Sequence, residues 1–414
     1  MLVAYPGRVL DVCIAGCGPA GAVLALLLAR AGVDVLVLEK HADFLRDFRG
    51  DTIHPSTLEI LDEIGLAERV LALPHAKAPV LHLRTPGGGP AVVEELSRLP
   101  TKFPYIAFVP QWHFLDLLAA EAARYPTFHL VRSAEVVALR WESGVVRGVR
   151  YRDADGEHDA DAYLTVGCDG RGSVTRSAAG LRLRETSPPM DVLWFRISRR
   201  STDPPQSAGV LGRGSFVALI NRTDYWQVAY VIPKGADARV RAAGLETFRA
   251  RVSETVPELA DRVGEIASWD DVKLLTVQSN RLERWWQPGY LAIGDAAHAM
   301  SPIGGVGINL AIQDAVATAN RLVEPLRQGR LSTRDLAAVQ RRREWPTRVT
   351  QLGQAAIQRA VLAPTLRSTA SPTVPAPVRA LLRLPWLRDL PARAIGLGVR
   401  REHVAPALRA AAVS

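Results

Sequence analysis

Three closely spaced glycines, Gly16, Gly18 and Gly21, constrain the fold of this chain more than any other feature of its sequence. They stand between residues 8–15, which are almost continuously apolar, and residues 22–31, which are rich in alanine and leucine. The apolar run predicts a buried strand, and the second segment predicts a helix. A strand, a glycine turn and a helix in this order begin the βαβ units that bind dinucleotides on a parallel sheet.

Each glycine has a separate physical role in such a turn. Gly16 permits the tight turn, Gly18 lets the backbone approach a pyrophosphate, and Gly21 lets the helix pack closely on the sheet. The N-terminus of the helix offers unpaired N–H groups and a partial positive charge to the phosphates. The next predicted strand, residues 33–38, is followed by Glu39, whose carboxylate is placed to accept hydrogen bonds from an adenosine ribose. A carboxylate there disfavours a 2′-phosphate, so we predict FAD or NAD rather than NADP at this turn.

Composition narrows the class of protein. With 414 residues, 48% of them hydrophobic and 22% charged, the chain is long enough for two packed units with a substantial core. The formal net charge is +9, but the basic residues are scattered and no nucleic-acid-binding motif accompanies them. We therefore expect no nucleic-acid partner and a basic surface that favours anionic ligands.

Signals for targeting and for metal binding are weak. The N-terminus lacks the basic region of a secretory signal, and the apolar stretch 20–29 is too short to span a bilayer. We therefore expect a cytoplasmic protein without integral membrane association. Cys13 and Cys17 lie in and beside the glycine turn with no second ligand pair at usable spacing, so we expect no metal site.

The rest of the chain predicts a mixture of helices and strands. Helices are predicted over residues 54–70, 111–124, 309–327 and 331–361. Residues 79–90 are rich in proline and glycine and predict a loop. Strands are predicted as a meander over 130–142, 145–152 and 160–166, a hairpin over 216–220 and 225–232, and one strand over 272–282.

Two later motifs accompany the glycine turn. Asp169-Gly170 follows a predicted strand, and residues 294–311 read GDAAHAMSPIGGVGINLA. Together with the turn, these motifs resemble the three fingerprints of the class A flavoprotein monooxygenases, the family of para-hydroxybenzoate hydroxylase, phenol hydroxylase and the polyketide hydroxylases. The resemblance covers residues 8–330 and is most specific over 294–311.

The resemblance implies FAD as the cofactor and gives roles to individual side chains. Asp295 matches the family residue that contacts the ribityl chain, and an acceptor-only carboxylate suits its hydroxyls. Arg49 matches the arginine that meets the FAD phosphates, to which a guanidinium can bind in a bidentate manner. Gln111 matches a position that touches the flavin chain, and Asp169 matches the acid that serves FAD and, indirectly, nicotinamide.

The glycines of residues 294–311 lead us to a further expectation about how the backbone would contact the flavin ring. Gly294 stands at a strand end, and Gly304 and Gly307 would let a backbone loop lie flat against the ring. A helix beginning near Gly307 would direct its N-terminus at the ring and stabilise negative charge there. In the family, the residue matching Asn309 hydrogen-bonds this edge of the ring, and the proline matching Pro302 shapes the reaction pocket through its backbone.

The activity that the resemblance implies is the insertion of one oxygen atom of O2 into an aromatic or polycyclic organic substrate, as in many natural-product pathways. NADH or NADPH would reduce the flavin, and a flavin C4a-(hydro)peroxide would deliver the oxygen. The sequence identifies no catalytic base, because Tyr225, Tyr230 and His82 lie in no motif and the histidine matching His298 has no general chemical role in the family.

Other functions stay open at this point. An FAD-dependent reductase or dehydrogenase without oxygen insertion would use the same cofactor site. A flavin halogenase is disfavoured, because residues 228–233 lack both tryptophans of the Trp-x-Trp-x-Ile-Pro motif of that class. A non-catalytic nucleotide-binding protein is the remaining alternative.

The fold that we predict is α/β. It comprises a Rossmann-like FAD-binding domain of the glutathione-reductase type over residues 1–75, 103–182 and 282–330. A β-sheet substrate domain over 76–102 and 183–281 is inserted into it, and residues 331–414 form a helical C-terminal region. The oligomeric state is not predicted.

Overall fold

The computed structural model describes residues 9–45, 51–85, 91–186, 188–368 and 385–409, apart from the side chains of 385–388. Its helices are α1 (Pro19–Arg30), α2 (Pro55–Glu63), α3 (Ala67–Leu71), α4 (Gln111–Ala122), α5 (Val174–Ala178), α6 (Asp237–Ala242), α7 (Leu245–Thr255), α8 (Gly307–Arg327), α9 (Thr333–Ile357), α10 (Ala363–Arg367), α11 (Pro385–Gly396) and α12 (Pro406–Arg409). A π-helical turn, Gln358–Leu362, joins α9 to α10.

The strands of the first half of the chain are β1 (Leu10–Ala15), β2 (Val35–Glu39), β3 (Thr52–Ile53), β4 (Ala76–Ala78), β5 (Val80–Arg84), β6 (Ala91–Glu95), β7 (Ile106–Phe108), β8 (Phe128–Arg132), β9 (Glu135–Glu142), β10 (Val145–Asp153) and β11 (Gly156–Gly167). Those of the second half are β12 (Leu183–Thr186), β13 (Met190–Ser198), β14 (Ala208–Gly212), β15 (Ser215–Asn221), β16 (Tyr225–Pro233), β17 (Lys273–Leu275), β18 (Ser279–Leu282), β19 (Trp286–Gln287) and β20 (Tyr290–Ala292).

The first sheet contains the predicted βαβ unit. Its strands follow the order β19-β20-β11-β1-β2-β8, and β20, β11, β1, β2 and β8 run parallel. Helix α1 packs against β1 and β2 with most of its residues buried, because its sequence is apolar on nearly every side. The predicted α/β fold is therefore confirmed.

Four of the predicted elements differ from the structure: three are divided, and one predicted loop contains a strand. Residues 54–70 form α2 and α3, separated at Gly65, where the backbone has φ +72°. Residues 130–142 form β8 and β9, separated at Ser133, which also has a positive φ. Residues 272–282 form β17 and β18, which pair with different strands, β13 and β12. The predicted loop 79–90 contains strand β5. Apolar periodicity missed the three divisions because each is made by only two or three residues at a change of direction.

The second sheet has the order β17-β13-β16-β15-β14-β5-β6. The predicted hairpin is confirmed as β15 and β16, joined at a turn in which Thr223 has φ +75°. One face, which we call the back face, packs on α7 through residues such as Phe195, Val228 and Tyr230. The other, the front face, carries Trp194, Phe216, Ala218 and Ala229, and Ile303 packs against it.

Helices α8 and α9 join the C-terminal part of the chain to the first sheet. Asp314 in α8 is buried, and its carboxylate accepts hydrogen bonds from His298 Nε2 at 2.6 Å and Arg343 Nε at 2.9 Å. Arg343 also donates to Glu402, so these four residues form a buried charged cluster. Within the part of the chain that the structure describes, no helix is both long and apolar enough to cross a membrane.

Candidate active site

The predicted cofactor residues meet at one edge of the first sheet. The glycine turn follows β1, Glu39 ends β2, Asp169 follows β11 and Asp295 follows β20. These four strands are parallel neighbours, so their carboxyl ends lie side by side. Ligands of open α/β sheets bind at such an edge.

The glycine turn has the shape that a bound pyrophosphate requires. Gly16 has φ +95°, and a Cβ atom there would lie 2.6 Å from the carbonyl oxygen of Cys168. A Cβ atom at Gly21 would collide with the carbonyl oxygen of Gly16, so the helix can approach the turn only because Gly21 has no side chain. A Cβ atom at Gly18 would meet nothing within 4 Å. The turn therefore leaves open space at Gly18, beside the N-terminus of α1.

The thiols beside this turn are unreactive. Burial raises the pKa of Cys13 and of Cys17 to about 12, and the nearby Glu39 carboxylate adds to the effect at Cys17. A thiol with so high a pKa stays protonated at neutral pH and is a poor nucleophile or metal ligand. Among the described residues, no group of three or more His, Cys, Asp and Glu side chains is arranged to hold a metal ion.

Glu39 is held in place by the backbone around it. Its two carboxylate oxygens accept hydrogen bonds from the N–H groups of Cys17, at 2.9 Å, and His41, at 3.1 Å. The carboxylate thus joins the glycine turn to the end of β2. Its contact with a ribose stays a prediction.

Asp169 has a structural role that the sequence did not show. Its carboxylate accepts hydrogen bonds from the Ser173 hydroxyl at 2.5 Å, and from the Thr175 backbone and hydroxyl at 2.9 Å each. Anionic groups stabilise the N-terminus of a helix in this way, and Asp169 so fixes the start of α5. A contact between Asp169 and FAD, as predicted, would therefore need an acceptor site on these two oxygens that Ser173 and Thr175 leave unused.

Asp295 faces a basic side chain. Arg171 Nε donates to Asp295 Oδ2 at 3.1 Å, and both side chains are about one-third exposed. The sequence analysis gave Arg171 no role, although it follows Asp169-Gly170 directly in the second motif. The pair brings the second and third motifs together at the sheet edge and leaves Asp295 accessible for a ligand.

The side-chain amide of Asn309 makes all of its hydrogen bonds to other residues of the protein. Oδ1 accepts from the His54 backbone at 2.9 Å and the Thr57 hydroxyl at 2.7 Å, while Nδ2 donates to the carbonyls of Thr52, at 3.0 Å, and Gly305, at 3.1 Å. Four hydrogen bonds fill the capacity of an amide side chain. A flavin bound here would therefore meet the backbone N–H groups of the first turn of α8, which have no acceptor within the helix.

The loop before α8 has the predicted irregular backbone. Gly304 and Gly305 have φ +75° and +61°, and Pro302 precedes them. A Cβ atom on Gly305 would lie 2.5 Å from the Thr52 hydroxyl, which donates to the Gly305 carbonyl at 2.7 Å. The loop is thus pinned to β3. We call residues 302–306 the flavin loop.

His54 is a buried histidine beside the flavin loop to which the sequence analysis gave no role. Its Nδ1 lies 2.8 Å from the Ile395 carbonyl, which can only accept, so Nδ1 carries the proton. Nε2 is buried and has no hydrogen-bond partner among the described residues. Burial lowers the pKa of His54 to about 4, so the ring is neutral at physiological pH. The bond to Ile395 holds α11 beside Gly304 of the flavin loop.

A buried ion pair connects the second sheet to the residue that precedes β3. Arg222, in the turn after β15, donates to Asp51 Oδ2 and, through Nε, to Gln227 Oε1 at 2.9 Å. Asp51 Oδ1 accepts from the backbone N–H of Gln111 at 3.1 Å, so Gln111 lies at this junction. Burial raises the pKa of Asp51, and the Arg222 charge opposes that shift. Arg49, predicted to meet the phosphates, lies outside the described residues.

The remaining candidates for a base are dispersed. Tyr230 belongs to the back face, where its ring packs 5.3 Å from that of Phe248, and burial raises its pKa. His82 is aligned with Ala208, also on the back face. Tyr225 lies near the Arg222 turn, with a pKa raised by burial. His298 is buried in the Asp314 cluster, which accounts for it without a chemical role.

Comparison with known proteins places these features in context. Residues 9–352 match the FAD binding domain family. The chain is 35% identical to the 6-methylpretetramide 4-monooxygenase of Streptomyces rimosus over 335 residues, which is 80% of each chain. It is 30% identical to the dialkyldecalin synthase of Streptomyces rugosporus, across 74% of this chain and 63% of that protein. The solved structure of OxyS anhydrotetracycline hydroxylase from Streptomyces rimosus is similar with a TM-score of 0.74 and 26% identity, covering 95% of this chain and 77% of that one.

Proposed function

Because this chain belongs to the class A FAD-dependent monooxygenases, we propose that it inserts one atom of O2 into an aromatic or polycyclic substrate, with NADH or NADPH as the reductant. The family match over residues 9–352 carries the proposal. The names of two similar proteins, a 6-methylpretetramide monooxygenase and an anhydrotetracycline hydroxylase, support a polycyclic substrate. Bound FAD would supply the activation of O2, which protein side chains cannot provide.

The residues at the sheet edge fit FAD. The open space at Gly18 and the N-terminus of α1 would take the pyrophosphate, and Glu39 would take the adenosine ribose. Asp295, which is accessible, would accept from the ribityl hydroxyls. The first turn of α8 would present backbone N–H groups to the ring, where they stabilise negative charge.

The front face of the second sheet would form the substrate wall. It is only partly covered, because Phe216, Ala218 and Ile220 on β15 are half-buried while the alternate residues Val217 and Leu219 are buried. Ile303 of the flavin loop packs against this face. A substrate between the two would be oriented by the sheet and shielded from water by apolar side chains.

The same arrangement supports the finer fold that we predict. The first sheet would belong to a glutathione-reductase-type FAD-binding domain over residues 1–75, 103–182 and 282–330. The second sheet would belong to an inserted substrate domain over 76–102 and 183–281, followed by a helical region over 331–414. We also propose a cytoplasmic location, since all three cysteines are free thiols and NAD(P)H is required.

Isotope labelling tests the proposed reaction. We would supply the FAD-loaded enzyme with NADH or NADPH under 18O2, with 6-methylpretetramide and anhydrotetracycline as first probes. The expected product contains one 18O atom, and a control in 16O2 and H218O shows no label. NAD(P)H oxidation that yields an unlabelled, reduced or dehydrogenated product would favour the reductase. A product that forms only with added bromide or chloride would favour the halogenase.

A further inference from the structure

Glu94 reaches the front face of the second sheet through a β-bulge. Leu83 pairs with Ala91 and His82 with Val92, but Leu81 then pairs with Glu94, so Val93 is an extra residue. Directly opposed residues project from the same face of a sheet, and a bulge reverses the alternation that would otherwise hold. Glu94 therefore projects from the face of Leu81 and Leu83.

The front face is shallow next to this strand. Gly209, Ala218 and Ala229 are aligned across β14, β15 and β16. A Cβ atom on Gly209 would lie 2.9 Å from the Phe216 ring and 3.2 Å from Leu83, so these two side chains share the face and cover Gly209. We call the shallow strip over the small side chains of Ala218 and Ala229, bordered by Phe216, the trough. Helix α11 packs on β6 and closes the side next to Glu94.

Among the described residues, the Glu94 carboxyl group has no hydrogen-bond partner. Although part of the residue reaches the surface, Oε2 is buried without a hydrogen bond. Burial raises the pKa of Glu94 to about 8, so the group is protonated at neutral pH. Trp194 Nε1, on the same face, is also buried and unpaired. Buried polar groups in native proteins are nearly always hydrogen-bonded, so an unpaired carboxyl group on this partly covered face indicates a position that a ligand can complete.

We propose that Glu94 is the polar anchor of the substrate pocket and hydrogen-bonds a hydroxyl or carbonyl group on a neutral polycyclic substrate lying in the trough. A carboxylic acid can donate to a carbonyl and accept from a hydroxyl, so it recognises either group. A substrate without such a group leaves the carboxyl unpaired and binds more weakly. This inference rests on the proposed position of the substrate at the front face.

Two probes of similar shape test this role. We would measure the Kd of the FAD-loaded enzyme for 2-naphthol and for 2-methylnaphthalene from the change in the flavin absorption spectrum. Glu94→Leu should shift the ratio of the two Kd values by about tenfold toward 2-methylnaphthalene, the size of one lost buried hydrogen bond. Glu94→Gln keeps a donor and an acceptor, so its ratio should stay within about threefold of wild type.

Glu95 provides the matched control. It is the next residue of β6, pairs with Val80 on the back face, and accepts from Ser97. Glu95→Gln should leave the ratio unchanged. FAD content and the thermal midpoint check folding, and Glu94→Met replaces the leucine variant if that variant does not fold. An unchanged ratio in the apolar variant would overturn the role of Glu94, whereas a wild-type enzyme that binds neither probe would overturn the pocket itself.

Discussion

Two buried polar regions of this molecule differ in how their groups are satisfied. In the cluster of Asp314, His298, Arg343 and Glu402, the charges oppose one another and link α8, α9 and the C-terminal segment to the residues after β20. Although Arg343 Nη2 and His298 Nδ1 stay unpaired, both side chains are held through their other nitrogen atoms. On the front face of the second sheet, Glu94 Oε2 is buried and finds no hydrogen-bond partner among the residues that the structure describes.

The contrast distinguishes polar groups that stabilise the fold from polar groups that are available to a ligand. Polar groups that pair with each other hold elements together, and their removal should lower stability whether or not a ligand is present. Polar groups that lack a partner lower the stability of the ligand-free protein, because they were desolvated without compensation. Substitution of an unpaired polar group should therefore leave the fold intact or stabilise it, and should change the affinity for the ligand.

The largest effect on folding is expected at Arg343. Arg343→Met removes a fully buried counter-charge that the Asp314 and Glu402 carboxylates share, and should lower the free energy of unfolding by about 3–5 kcal/mol. Arg321 forms an ion pair with Asp335 but is half exposed, so Arg321→Met should lower it by less than about 1 kcal/mol. Urea denaturation measures both. Equal losses in the two variants would show that the buried cluster does not stabilise the fold.

At Glu94 we expect the stability to fall as the pH rises from acidic to neutral. Its folded pKa, about 8, is above the value of the unfolded chain, so the unfolded state releases the proton first as the pH rises. Stability should therefore fall between pH 5 and 7, by about 1.4 kcal/mol per pH unit from this group. Glu94→Gln should remove that slope in urea denaturation of the FAD-free protein. A wild-type slope in the variant would mean that Glu94 ionises normally.

At His54 the expected dependence has the opposite direction. Its folded pKa, about 4, is below the usual 6.5, so the unfolded chain binds a proton first as the pH falls. Stability should decrease from pH 6.5 to 5 by about 2 kcal/mol from this group. His54→Asn keeps a donor for the Ile395 carbonyl and cannot be protonated, so the difference between the two proteins isolates the effect. Parallel stability curves would contradict a buried neutral His54.

The smallest effect on folding is expected at Gly18. Gly18 has φ −71°, which alanine adopts freely, and its Cβ atom would project into open space. Gly18→Ala should change the free energy of unfolding by less than about 0.5 kcal/mol, while it fills the space left for the pyrophosphate and weakens FAD binding. Calorimetric titration of FAD into stripped protein measures the affinity. Gly21→Ala, whose Cβ atom collides with the backbone, should impair both folding and binding. Normal FAD affinity in Gly18→Ala would place the phosphates elsewhere.

Sequence reasoning succeeded where local pattern determines local structure. The glycine turn, the first βαβ unit, helix α4 and the hairpin of β15 and β16 follow from apolar periodicity and turn residues within about 30 positions. The strand-end acids Glu39 and Asp295 were found because each ends a recognisable strand. Side-chain partners were not found in this way. Asp169 caps α5 and Asn309 is saturated by four bonds, and neither could be known before the elements around them were placed.

The sequence by itself determined the family, the α/β class and the edge of the first sheet at which the predicted cofactor residues gather, because all three depend on motifs that are continuous in the chain. The tertiary structure decided which of those residues are still available to a ligand, and it brought together pairs far apart in the chain, such as Asp51 with Arg222 and His54 with Ile395. It also placed Glu94 on the front face through a one-residue bulge. A bulge shifts every later side chain to the other face without a clear mark in the sequence, since the pairing partner that reveals it belongs to another strand.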